Sequence, residues 1–181
     1  MGRLLILFFT FLLSTTAVFA NFELDSLTAQ LERAKGLDRV DILNQISILY
    51  FNTNSERALH FANEALRYAK EETDKKRLAQ SYLNVGIVRR NIGQSEEALN
   101  LFNEVLKLAE EVNDPALKAD VLHKTGVTYL LVNDFNTALD YAEKELLIWR
   151  EIKNTSGLGD ALNLIGIIYI NLEKLDKARE N

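Results

Sequence analysis

From residue 76 onward, apolar side chains return every three or four positions, in runs that stop at short polar clusters. Tyr82, Val85, Gly86 and Arg89 follow helical spacing. Gly93 suits the left-handed residue that ends such a helix. Ser95 is the expected cap of the next helix, with Glu96 and Glu97 favourable in its first turn. That helix would bury Ala98, Leu99, Phe102, Val105, Leu106 and Ala109. Asp114 and Pro115 supply a cap and a first-turn proline, Asp134 opens the next helix, and Thr155 or Ser156 the one after. The pattern predicts helices near 39–52, 55–73, 76–92, 95–112, 115–132, 135–153, 157–171 and from 175 onward. A short amphipathic helix carrying Leu24, Leu27, Leu31 and Ala34 precedes them, within 21–38, and stops at Gly36.

The helices come in pairs that repeat. Shifting the chain by forty residues aligns Ile46, Gly86, Gly126 and Gly166 in one column. Twelve residues on, a second column holds Ala58, Ala98, Ala138 and Ala178. The units are 39–78, 79–118, 119–158 and an incomplete 159–181. A glycine within a helix costs about 1 kcal/mol relative to alanine. Its compensation is expected in packing, with the first helix of a pair pressed against the small alanine of the second. One pair cannot bury its apolar face alone, so the units must stack.

A small residue, a twelve-step to alanine, and an aromatic three after the small residue (Tyr129, Tyr169) resemble the tetratricopeptide repeat. The segments NIGQSEEAL and VNDFNTAL resemble that family's turn between its two helices. The resemblance implies an all-α fold, antiparallel helix pairs stacked as a right-handed solenoid, and a protein or peptide partner. The departure is length: forty residues per unit against the family's 34. The longer form resembles repeats of bacterial signalling proteins. HEAT-like repeats have a similar period but lack the glycine-to-alanine step.

In such an array the first helix of each pair lines the concave face. Its inward positions are Leu43, Ser47 and Tyr50, then Leu83, Ile87 and Arg90, then His123, Val127 and Leu130, then Asn163, Ile167 and Ile170. The family's known clamp for a terminal carboxylate places Lys and Asn at two of these positions. Here the columns read Leu43, Leu83, His123, Asn163 and Ser47, Ile87, Val127, Ile167, so the clamp is absent. An apolar groove with few polar groups suits an amphipathic helix or an extended segment. Arg89 breaks the aromatic column and is expected to run its stem over apolar surface toward a carboxylate. Trp149 stands in the column of Ala69 and Ala109 and is expected to fill core.

Composition narrows the function. A net charge of −5 with mixed signs leaves no basic stripe for a phosphate backbone, so no nucleic-acid partner is expected. There is no cysteine, hence no disulfide and no lipid-anchored N-terminal cysteine. No phosphate-binding loop, zinc-protease motif or nucleophile elbow occurs, and His60 and His123 fall in different repeats. No catalytic residue, metal or cofactor is expected. Asn154-Thr155-Ser156 fits a glycosylation triplet but reads better as a helix-capping loop.

Residues 1–20, MGRLLILFFTFLLSTTAVFA, have the order of a secretory signal peptide: one basic residue, an apolar run, then Val18-Phe19-Ala20. Cleavage after Ala20 would place the mature chain on the periplasmic or extracellular side, and an uncleaved leader would anchor it to the membrane. At the other end, the fourth unit's second helix stops at Asn181. The expectation is either a downstream segment, as in sensor portions of larger signalling proteins, or an uncapped end that pairs with a second copy.

Overall fold

The computed structural model describes residues 22–172. The expected leader, Ala178 and the helix from 175 lie outside that range. Among the described residues all regular structure is helical: α1 (22–31), α2 (Gly36–Tyr50), α3 (Ser55–Glu71), α4 (Lys75–Asn91), α5 (Ser95–Glu111), α6 (Pro115–Leu131), α7 (Phe135–Glu151) and α8 (Thr155–Asn171).

Local chemistry sets the boundaries. Asn54, Asp74, Asp114 and Asp134 accept hydrogen bonds from the backbone N–H groups of Arg57, Arg77, Leu117 and Thr137. Each satisfies a donor that the first turn leaves unpaired. Two expected caps are corrected. Gln94, not Ser95, is the N-cap of α5, and it makes no side-chain cap bond because its Oε1 accepts from Arg89 Nη1 at 2.7 Å. Asn154, not Thr155 or Ser156, caps α8, accepting from Gly157 N at 3.0 Å. The side chain of the triplet's asparagine is therefore engaged in the cap.

Gly93 takes the expected positive φ of 83°, and Asn113, Asn133 and Lys153 do the same at the ends of α5, α6 and α7. After each, the next N–H reaches back to the last turn, as Gln94 N does to Arg89 O at 2.9 Å. Gly36 does not end α1. It opens α2 with φ 54°, and α1 is tied to α2 by Arg39 Nη1 donating to Leu31 O at 3.0 Å.

Each of α2/α3, α4/α5 and α6/α7 is a packed pair, and successive pairs stack. α2 touches α4, α4 touches α6 and α6 touches α8, while α3, α5 and α7 touch only helices adjacent in sequence. The first helices of the pairs are thus closer together than the second ones. The array curves with α2, α4, α6 and α8 on its inner side.

The alanine column lies at the centre of each pair: Ala58, Ala98 and Ala138 are fully buried. The glycine column packs in two ways. At Gly126 the expected contact is present: an added methyl would lie 3.4 Å from the Ala138 carbonyl oxygen and 3.3 Å from Leu164 Cδ2. At Gly86 the space belongs to Phe102, whose Cε1 would be 2.5 Å from such a methyl. Phe102 is fully buried, a gain of about 3 kcal/mol for a side chain of this size. The exchange is particular to this pair: sixteen residues after Ile46 and after Gly126 stand alanines, Ala62 and Ala142, and only Gly86 is followed there by a large ring. Trp149 fills core as expected, its indole lying where a side chain at Gly157 would be.

Candidate functional site: the concave groove

The inward positions divide into residues that face the groove and residues the packing covers. Leu43 and Ser47 are buried, and Ser47 Oγ donates to Ala58 O at 2.9 Å, tying α2 to α3. Leu83 is corrected: at 2% exposure it packs with Ala79, Phe102 and Val105 in the core and offers nothing to the groove. Leu43, in the same column of a pair that carries Ile46 in place of the glycine, is buried as well, so in the first two pairs this position packs toward the interior. Tyr50 is half-buried, its hydroxyl accepting from Arg57 Nη1 at 2.9 Å and its ring stacked on Phe61.

Ile87, Arg90, Val127 and Leu130 are half-buried, Ile167 is 39% exposed, and Asn163 and Ile170 are exposed. All of these positions lie on α4, α6 and α8, the inner helices of the array, and all but Arg90 and Asn163 are apolar. Two further residues add exposed apolar surface to the inner helices. Leu131 is 60% exposed and Ile48 58% exposed. The helical spacing missed both, because each lies one residue after an inward position. Ile48 is informative: Val88, Thr128 and Ile168 in its column are buried. They pack toward the preceding pair, and α2 has no preceding pair among the described residues.

Between α2 and α4 lies a cavity of about 210 Å³ lined by Ser47, Ile48, Phe51, Asn84, Ile87 and Val88. Its polar atoms are already engaged. Asn84 Nδ2 donates to Asn44 Oδ1 and its Oδ1 accepts from Gln80 Nε2, both at 3.0 Å. Asn44 Nδ2 donates to Ser81 Oγ at 3.0 Å, completing a buried chain of amides between α2 and α4. The cavity therefore presents apolar surface.

Arg90 stands one turn beyond Ile87 on α4. Its Nε and Nη1 are sealed from solvent and have no hydrogen-bond partner among the described residues. Burial pushes its pKa below the ordinary arginine value. Arg89, by contrast, behaves as expected, donating through Nη1 to Glu97 Oε2 at 2.6 Å.

His123 does not face the groove as an open polar residue. Its Nδ1 lies 3.0 and 3.1 Å from the two carboxylate oxygens of Glu145, which is 1% exposed and also accepts from Trp149 Nε1 at 3.0 Å. Glu145 escaped the sequence reading as one acid among many. The available signal was its column, Ala65 and Val105, where a carboxylate is out of place. Among the described residues no three His, Asp or Glu side chains converge as metal ligands would.

The tetratricopeptide repeat model matches residues 38–111 and 77–151. No curated protein sequence matches. The chain is similar in structure to aspartyl phosphate phosphatase F from Bacillus subtilis (TM-score 0.79, 22% identity), covering 89% of this chain and 46% of that one. It is similar also to a Rap protein complexed with competence and sporulation factor (TM-score 0.80, 20% identity), covering 92% and 48%. A third is a signal transduction ATPase with a tetratricopeptide repeat sensor from Pyrococcus horikoshii (TM-score 0.62, 18% identity), covering 85% and 31%. The chain spans less than half the length of each. At these identities the structures speak for the fold, and the repeat model covering most of the chain speaks for the family: this chain belongs to the tetratricopeptide repeat family.

Proposed function

We propose that the chain is an exported, non-catalytic scaffold that binds a protein or peptide segment along its concave groove. The observation that carries this reading is the apolar surface left exposed on the inner helices, at Ile48, Leu131, Ile167 and Ile170, together with the largely apolar cavity between α2 and α4. A solenoid's curvature makes its inner face an extended binding surface. The neighbouring Rap protein complexed with competence and sporulation factor supports a protein or peptide as the occupant. The test is photo-crosslinking in cells from a reactive residue in place of Leu131 or Ile167, beside one in place of Leu147, which is exposed on α7. Adducts from the first two positions and not the third are expected. Adducts from Leu147 alone would end the reading.

Export rests on residues 1–20, and no described helix is long and apolar enough to cross a membrane. Mature protein recovered outside the cytoplasm should begin at Asn21. Protein that retains Met1 and sediments with membranes would replace cleavage with anchoring.

A second reading is that the array is the N-terminal sensor region of a larger bacterial signalling protein, a histidine kinase or related regulator. It is favoured by the ATPase in which a tetratricopeptide repeat sensor is part of a longer chain, of which this one covers 31%. The reading frame downstream of Asn181 decides between the two.

A further inference from the structure

We draw no further inference here: the strongest candidate, the apolar cavity between α2 and α4 beside the exposed Ile48, carries nothing, because nothing in the structure shows what covers it.

Discussion

His123 Nδ1 donates to the Glu145 carboxylate at 3.0 Å, and that carboxylate is almost fully enclosed between α6 and α7. The same carboxylate accepts the Trp149 indole N–H at 3.0 Å. A single acid thus satisfies two buried donors from two helices. Removing it strands both, so Glu145→Ala should cost about 3 kcal/mol or more. Restoring the repeat column with Glu145→Val while converting His123→Leu should cost much less, because one of the stranded donors is gone. Urea denaturation of the single and double variants measures the coupling. Additive costs would mean that the pair is not an interaction.

The glycine column separates two kinds of contact. Gly86→Ala places a methyl 2.5 Å from Phe102 Cε1, against a ring that is fully buried and cannot retreat. It should destabilise by roughly 2 kcal/mol through overpacking. Gly126→Ala meets its neighbours at 3.3–3.5 Å, and the alanine recovers up to about 1 kcal/mol of helix propensity. It should be close to neutral. In the Phe102→Leu background the Gly86→Ala penalty should shrink. Equal melting temperatures for Gly86→Ala and Gly126→Ala would show that the ring does not set the gap.

The contrast marks what the sequence carries. Column identity was legible because burial at Ala58, Ala98 and Ala138 is dictated by the repeat itself. What compensates a column was not. Phe102 against Gly86, and Trp149 against Gly157, are volume exchanges between helices that a linear pattern does not pair. Of the expected inward positions, Ile87, Arg90, Val127 and Ile167 keep accessible surface, whereas Leu83 lies in the core, and Ile48 and Leu131, one residue on from expected positions, are exposed. Burial at one position differs from pair to pair with the neighbouring side chains, which a column does not record. Arg90 could be read as a groove residue, but its lack of an acceptor exists only in three dimensions. Caps were displaced by one residue at Ser95 and Thr155 because neighbouring Gln94 and Asn154 occupy the boundary.

Lys153 holds φ 56° at the end of α7, where the equivalent residue after α5 is Asn113. A left-handed backbone costs an ordinary L-residue roughly 1–2 kcal/mol, and asparagine less. Lys153→Asn should therefore raise stability by about 0.5–1 kcal/mol, with Lys153→Gly similar. A melting curve reads the change. A lower melting temperature for both variants would show that the lysine side chain contributes something the backbone cost conceals.

Two helix caps predict how the fold responds to acid. Asp114 is held below the usual carboxylate range by the Leu117 backbone N–H at 3.1 Å, and then by Lys76 Nζ at 3.1 Å. Asp74 is held down chiefly by the Arg77 backbone N–H at 2.9 Å. The folded values lie below the unfolded one, about 3.9. The charged caps therefore contribute fully above that value, and the contribution is lost as the pH falls through the depressed folded values. Asp114→Ala should cost about 1 kcal/mol at pH 7. Asp114→Asn keeps an oxygen for Leu117 N–H but loses the charge facing Lys76 and the helix N-terminus. Its melting temperature should sit below that of wild type at pH 7, and the gap should close on acidification below about pH 4. Thermal melts of the two proteins between neutral and strongly acidic pH follow that gap. A gap that stays constant to the acid end would mean that the cap's charge makes no contribution, and that its oxygen alone holds the start of α6.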